Sequence, residues 1–283
     1  MKKYPSLAIF ALFTMLYAHA SGQTTADRPF EVKKSGQGKL AIIFIPGLGC
    51  SGEVWDQTVA QLEKDYTCYT LTMAGFSGTQ PQPEPTFVNW ETQIARYIRE
   101  NNIQKPIIIG HSVGGGLALA IAADFPQLVS KIIVVDALPC LSALQYPAFK
   151  SRENNDCTPM INQFTAISDD QFEQMQKSTV AALVADTSAQ KKVIRWTIQS
   201  DRKTFAGLFC DFLNTDLRGK LKSIQCPALI LLESSFSRLK PIIEEQYKDL
   251  KGAQLQYSSK ALHFIMFDDE EWYQNQLTRF IKP

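Results

Sequence analysis

The chain contains 283 residues, of which 45% are hydrophobic and 20% are charged. This is the composition of an ordinary globular protein, with enough apolar residues for one large domain or for a domain with an insertion. Lys and Arg together number 29 and Asp and Glu 28, giving a formal net charge of +1, and no long run of Lys or Arg occurs. We therefore predict no nucleic-acid partner, since binding to phosphates needs a basic surface.

Residues 1–20 have the order of a secretory signal peptide. Two lysines precede an apolar stretch from Leu7 to Tyr17, and Ala18-His19-Ala20 follows. This order predicts cleavage after Ala20 or a few residues later, with an uncleaved anchor as the alternative. The apolar stretch is shorter than the ~20 residues of a membrane span. We expect a mature protein that starts near Ser21, has no stable membrane span, and is secreted, or periplasmic in a bacterium.

After this leader, apolar strands alternate with helical segments. Strands are predicted at 29–34, 39–45, 66–72, 107–109, 131–138, 227–232 and 253–258, and helices at 53–63, 86–101, from Val113 onward, 240–250 and 270–282. The strand patterns are apolar rather than alternating, which indicates a parallel sheet covered on both faces. The predicted fold class is therefore α/β, with a mostly parallel central sheet and helices on both sides.

Residues 139–217 have a different pattern, which predicts an inserted helical cap. The stretches 167–186 and 189–213 have helical spacing, and no buried strand is apparent between them. The aromatic residues of this segment either line a substrate pocket or pack the cap helices together, and both alternatives are open. They are Phe164, Phe172, Trp196, Phe205, Phe209 and Phe212.

The segment from Lys105 to Gly116 carries the strongest functional signal. Three isoleucines follow Pro106, Gly110-His111-Ser112-Val113-Gly114 fits the pattern G-x-S-x-G, and an Ala- and Leu-rich helix comes next. A strand, a tight glycine-flanked turn and a helix present a serine hydroxyl above a sheet, although glycine-rich turns also bind phosphates. Our hypothesis is that Ser112 is a catalytic nucleophile.

A base for Ser112 follows from a count of the histidines. The chain has three, and His19 leaves with the predicted signal peptide. His111 directly precedes the serine, so its side chain is expected to point away from the hydroxyl. His263 therefore remains as the general base, because imidazole changes charge near neutral pH. Two histidines also leave little for a metal site, and we predict neither a metal nor a cofactor.

The chain resembles the serine hydrolases of the α/β-hydrolase fold, in particular the esterase and haloperoxidase-like branch with a helical cap. The resemblance covers nearly the whole predicted mature chain, and its marks are the segments IFIPGLGCSGEVW, LTMAGFSG, IIIGHSVGGG and ALHFIMFDD. It implies a hydrolase core at 21–138 and 218–283, interrupted by the cap at 139–217.

The resemblance also implies an acid that orients His263, and here the chain departs from the family pattern. Most relatives carry this acid just after the strand that corresponds to 227–232, where this chain has Glu233 and no aspartate. Asp136, which ends the preceding strand, is the favoured candidate, and Glu233 is the alternative. An aspartate after a strand is also a common turn residue, and a dyad without an acid is a third possibility.

The same resemblance places the oxyanion hole on backbone N–H groups. One donor is expected from Val113, directly after the nucleophile, and the other from Leu48 rather than Cys50. Relatives often have His-Gly where this chain has Pro46-Gly47, which keeps the glycine. Because the donors belong to the backbone, the substitution leaves them in place.

Six cysteines lie beyond the predicted leader, and export permits them to form disulfides. Fifteen full pairings are possible and the sequence does not choose among them, while any single cysteine is alternatively a buried free thiol. Cys140 and Cys157 bracket one short loop-like segment, so theirs is the pair to test first. The chain contains no C-x-x-C, and a zinc ribbon or thioredoxin-type site is unsupported.

These residues predict a secreted serine esterase that cleaves a small or medium carboxylic ester through an acyl-enzyme. The first alternative keeps Ser112 and His263 but changes the substrate to an amide, a thioester, a lactone or a carbon–carbon bond. The second is a non-catalytic binding protein on a hydrolase scaffold, suggested by the missing acid at its usual position. The expected partner is a small-molecule ester, and the sequence makes no prediction of an oligomeric state.

Overall fold

The computed structural model describes residues 28–83 and 85–282. The predicted signal peptide at 1–20 lies outside these residues and stays a prediction. Within the described residues, no helix is both long enough and apolar enough to span a membrane.

One seven-stranded sheet forms the centre of the protein. Its strands are β1 (Phe30–Ser35), β2 (Leu40–Ile45), β3 (Tyr66–Met73), β4 (Ile107–His111), β5 (Lys131–Val135), β6 (Ala228–Leu232) and β7 (Gln254–Tyr257). The order across the sheet is β1-β3-β2-β4-β5-β6-β7, and β1 alone pairs antiparallel with its neighbour. The predicted α/β class with a mostly parallel sheet is confirmed.

Helices cover both faces of the sheet and form the segment between β5 and β6. They are α1 (Asp56–Leu62), α2 (Phe87–Glu100), α3 (Val113–Asp124), α4 (Thr158–Ala166), α5 (Asp169–Leu183), α6 (Thr187–Ile198), α7 (Arg202–Leu213), α8 (Lys240–Tyr247), α9 (Ile265–Asp268) and α10 (Glu270–Ile281). The predicted helix at 53–63 is a 3₁₀ turn, Gly52–Trp55, followed by α1. The strand predicted at 131–138 ends at Val135, because Asp136 turns out of the sheet with a φ of 48°.

Alternate residues of the central strands enter two separate hydrophobic layers. In β2, Ile43 and Ile45 pack into the layer that also holds α2 and α3, whereas Ile42 and Phe44 pack into the opposite layer. All four side chains have 0% exposure. A parallel strand covered on both sides must be apolar at every position, which explains why these strands lack alternation.

The cap helices α4 to α7 lie between β5 and β6, and a disulfide joins the first to the last. Cys157, the N-cap residue of α4, is bonded to Cys210 in α7, with a Cα–Cα distance of 5.7 Å. The Cys140–Cys157 pair, the first candidate to test, is therefore not formed. Cys140 is a fully buried free thiol, and its backbone N–H donates to the side-chain oxygen of Gln246. No disulfide therefore closes the segment 140–157.

Candidate active site

The sheet brings three candidate site residues, Ser112, Asp136 and Glu233, to neighbouring positions at one edge. His111 is paired with Val135, and Val135 with Leu231, in the register of β4, β5 and β6. Just beyond these pairs, Ser112 donates its N–H to Val135 at 2.9 Å and Asp136 donates to Leu231 at 2.7 Å. Because the three strands are parallel, Ser112, Asp136 and Glu233 leave the sheet at the same carboxyl edge.

Ser112 lies on a strained turn between β4 and α3. Its φ of 54° and ψ of −122° are unfavourable for a residue with a side chain. The two glycines that flank it are required by close backbone approach, since a Cβ on Gly110 would lie 2.0 Å from the Gly114 carbonyl oxygen, and one on Gly114 would lie 2.4 Å from that of Ile45. Such strain at a serine above a sheet is typical of a nucleophile elbow.

The His263 ring contacts Asp136 and not Glu233. The Nδ1 atom of His263 lies 2.6 Å from Oδ2 of Asp136, whose side chain is 1% exposed. The other carboxylate oxygen of Asp136 accepts the backbone N–H of Glu233 at 2.7 Å. The Glu233 carboxylate instead accepts a hydrogen bond from Ser235. Between the two candidate acids, Asp136 has the position that orients the imidazole.

The loop that carries His263 is fixed at both ends by side-chain hydrogen bonds. The Ser258 hydroxyl, directly after β7, donates to Asp269 at 2.8 Å and accepts the N–H of Ala261 at 2.9 Å. The Asp268 carboxylate accepts the N–H of Leu262 at 3.1 Å and also that of Ala185, just after α5, at 2.9 Å. This loop is therefore tied to the core and to the cap.

His111 supports the same loop from beneath. Its Nε2–H donates to the carbonyl oxygen of His263 at 3.1 Å, and the centroids of the two imidazole rings are 4.6 Å apart. Burial, and then the charge of His263, hold the pKa of His111 well below its usual value, so the ring is neutral. With Nε2 as the donor, Nδ1 is a buried acceptor without a partner among the described residues.

The loop after β2 approaches the serine closely enough to supply a hydrogen-bond donor. A Cβ on Gly47 would lie 3.2 Å from the Ser112 Cβ and 2.7 Å from Nδ1 of His111. Leu48 and Val113 both line the cavity in front of Ser112. Val113 is the first residue of α3, where an N–H has no partner within the helix and is free to bind an anion.

The neighbouring Cys50 is not a second nucleophile. Its side chain is 1% exposed, and burial raises the pKa of its thiol to about 12. A neutral thiol is a poor nucleophile.

The described residues also contain no group of three or more His, Cys, Asp or Glu side chains that could hold a metal ion.

A cavity of about 540 Å³ lies between the sheet edge and the cap, and Ser112, Asp136 and His263 all line it. Most of the other lining residues are apolar. They include Leu138, Leu141, Leu144, Met175, Val180, Leu183, Phe236 and four of the six cap aromatics considered above, namely Phe164, Phe205, Phe209 and Phe212. Phe172 and Trp196 are instead buried among the helices. No Lys or Arg of the described chain is among the lining residues.

The sequence did not reveal two further residues of this site. The support that His111 gives to His263 joins positions 152 residues apart, and no local pattern predicts it. Gln176 also lines the cavity. The sequence does contain a signal for Gln176, namely its spacing of four residues from Phe172 and from Val180. These three are the buried residues of α5. An amide on such a buried helical face is unusual.

A serine on a strained turn and a histidine paired with an aspartate therefore lie together at the carboxyl edge of a parallel sheet, beside a cavity that Leu48 and Val113 also line. The sequence model of the alpha/beta hydrolase fold matches residues 41–270. The chain belongs to the alpha/beta hydrolase fold family.

Individual relatives include esterases. The pimeloyl-[acyl-carrier protein] methyl ester esterase of Proteus mirabilis is 24% identical over 241 residues, which are 83% of this chain and 90% of that protein. The protein of the same name from Vibrio parahaemolyticus is 32% identical over 108 residues, 38% of this chain and 40% of that protein.

Solved structures show the same fold at lower identity. The enol-lactonase of Burkholderia xenovorans is similar with a TM-score of 0.74 and 13% identity, over 89% of this chain and 96% of that one. An esterase from Exiguobacterium antarcticum is similar with a TM-score of 0.73 and 17% identity, over 90% and 96% of the two chains.

Proposed function

We propose that the protein is a serine hydrolase that cleaves carboxylic esters through an acyl-enzyme on Ser112. The observation that carries the proposal is the His263–Asp136 hydrogen bond of 2.6 Å, at the cavity that Ser112 also lines. An aspartate on Nδ1 fixes the tautomer in which Nε2 is free to accept a proton. The non-catalytic alternative depended on a missing acid, and Asp136 removes that argument.

In the proposed reaction, His263 takes the proton of the Ser112 hydroxyl through Nε2 while the Ser112 oxygen attacks the ester carbonyl. Asp136 stabilises the imidazolium that forms. The N–H groups of Leu48 and Val113 bind the oxyanion, and each such donor is typically worth ~3 kcal/mol in the transition state. His263 then protonates the leaving alcohol, and water repeats these steps on the acyl-enzyme.

An ester is preferred as the scissile group because of the curated relatives. The names of the Proteus and Vibrio proteins give a methyl ester as what those enzymes cleave. The apolar cavity of about 540 Å³ has room for an acyl or alkyl group of small to medium size. A thioester, amide, lactone or carbon–carbon bond uses the same three residues, and the substrate panel below distinguishes these classes.

The proposed compartment is extracellular or periplasmic. Two features support it: the charged, apolar and small-residue order at 1–20, and the Cys157–Cys210 disulfide, since disulfides persist in oxidising compartments. Mass spectrometry of protein from the native host's medium or periplasm should give a mature N-terminus near Ser21. Intact residues 1–20 on most of the protein would refute export by signal cleavage.

An active-site-directed fluorophosphonate tests the nucleophile. We expect one covalent adduct on Ser112, none on the Ser112→Ala variant, and none after thermal unfolding. A panel of p-nitrophenyl esters with matched anilides, thioesters and lactones then tests the bond, and esters are expected to give the highest kcat/KM. Failure of Ser112 to label in folded protein, or ester turnover retained in Ser112→Ala, would refute the proposal.

A further inference from the structure

Two buried polar side chains on the cap side of the cavity, Gln176 and Thr197, are not used by the proposed reaction. Gln176 is 4% exposed and lines the cavity from α5. Its neighbours on the same face of the helix, Phe172 and Val180, are apolar and buried. A leucine or methionine at this position fills a comparable volume, so packing alone does not call for an amide.

The Gln176 side chain has no hydrogen-bond partner among the described residues. Its amide atoms are not enclosed by protein, unlike the unpartnered Nε2 atoms of Gln246 and Gln274, and are therefore open to the cavity that Gln176 lines. Thr197, which also lines the cavity, instead donates to the Ile194 carbonyl at 3.0 Å. A side-chain amide that is open to a ligand cavity and has no partner in the protein is available to hydrogen-bond a ligand.

We propose that Gln176 is a substrate-binding residue that hydrogen-bonds a second, neutral polar group of the substrate, at a distance from the scissile ester. This inference rests on the proposed function. A side-chain amide both donates and accepts, so a hydroxyl or keto oxygen suits it. An anionic group is disfavoured, because no Lys or Arg of the described chain lines the cavity while Asp136 and Glu233 do. The substrate class is therefore an otherwise apolar ester with one hydroxyl or keto group.

The test compares p-nitrophenyl alkanoates with the same esters carrying a hydroxyl or keto group at successive carbons. In the wild-type enzyme, at least one substituted ester is expected to match or exceed the kcat/KM of its parent. This is expected even though the polar group of the substituted ester loses its hydrogen bonds to water on binding. Gln176→Met should lower kcat/KM for that ester about five- to tenfold, the worth of one hydrogen bond. Because the unsubstituted parent has no polar group for Gln176 to bind, the ratio of kcat/KM between the substituted ester and its parent should fall in this variant.

Gln174→Met is the matched control, because Gln174 is exposed on the same helix and does not line the cavity. It should leave the ratio between substituted and parent esters at the wild-type value. If Gln176→Met lowers both esters by the same factor, or if no substituted ester equals its parent in the wild-type enzyme, the inference is wrong.

A binding measurement separates this inference from the proposed reaction. The Ser112→Ala variant is titrated calorimetrically with non-hydrolysable ether analogues of the panel, with and without the hydroxyl or keto group. Tighter binding of a substituted compound, lost in the Ser112→Ala, Gln176→Met double variant, supports the role of Gln176 even if no ester is cleaved. Equal binding of substituted and parent compounds refutes that role even if esters are cleaved.

Discussion

The two walls of the cavity are built in different ways. On the sheet side, Ser112 and Asp136 are held by strand register and by positive φ angles of 54° and 48°. On the cap side, none of the residues of α4, all within the described chain, is buried. That helix is held by the Cys157–Cys210 bond and by Phe164, whose ring stacks on Phe205 at 5.9 Å. The residues of the proposed chemistry, Ser112 and Asp136, therefore lie on the wall that the sheet holds, called the rigid wall below, whereas α4 contributes Phe164 to the cavity without a buried residue of its own.

The largest expected effect lies on the rigid wall and compares the two carboxylates. Asp136→Asn should lower kcat about 10⁴-fold, because an amide does not stabilise the imidazolium and favours the wrong tautomer. Glu233→Gln is the matched control at the next strand end and should change kcat less than about tenfold, since its carboxylate contacts Ser235 and not His263. Steady-state kinetics on one ester decides, and the reverse ranking would assign the acid to Glu233.

The next effect concerns the cap. The Cys157–Cys210 bond spans 53 residues, and a disulfide typically contributes roughly 2–4 kcal/mol to the free energy of unfolding. Cys157→Ser with Cys210→Ser should lower that free energy and raise hydrogen exchange in α4 and α7, while exchange in β4 and β5 stays low. Cys226→Ser is the control, because Cys226 is a free thiol that is only partly buried. Equal loss of protection in the sheet would show that the two walls are not independent.

The contrast between the walls also explains how much of the structure the sequence predicted. The sheet class and the elbow at Ser112 follow from apolar strands and a short motif, which are local signals, whereas His263 follows from the histidine count and its carboxylate partner from the family resemblance. The choice between Asp136 and Glu233 stayed open, because it depends on how the chain leaves the sheet after Val135. The disulfide pairing also stayed open, because the packing of α4 along α7, not proximity in sequence, brings Cys157 to Cys210.

A smaller effect on the rigid wall is expected at His111. His111→Phe keeps an aromatic ring against Phe264, with which His111 has a centroid distance of 4.6 Å, but removes the donor to the His263 carbonyl. We expect kcat to fall roughly tenfold, the worth of a buried hydrogen bond, with little change in KM. Stopped-flow acylation measures the effect, and an unchanged acylation rate would show that His111 does not position His263.

The smallest effect concerns a pH-dependent contribution to the free energy of unfolding, which we expect in the core beside the sheet and not in the cap. Glu91 in α2 is 4% exposed. Burial, and then the nearby Asp124 carboxylate, raise its pKa from 4.5 to about 7. The folded protein therefore binds this proton more tightly than the unfolded chain. The resulting stability is fully present below pH ~4.5 and is lost as the pH rises through about 7.

Gln resembles the protonated acid, so Glu91→Gln should leave the free energy of unfolding nearly unchanged at pH 4.5. It should raise that free energy by on the order of 1–3 kcal/mol above pH 7. The matched cap variant is Glu173→Gln, a partly exposed position paired with Lys177, where no such pH dependence is expected. Urea unfolding of both variants between pH 4.5 and 8 measures the difference. Parallel curves for Glu91→Gln and the wild-type protein would mean that the Glu91 carboxylate is solvated or paired in the folded state.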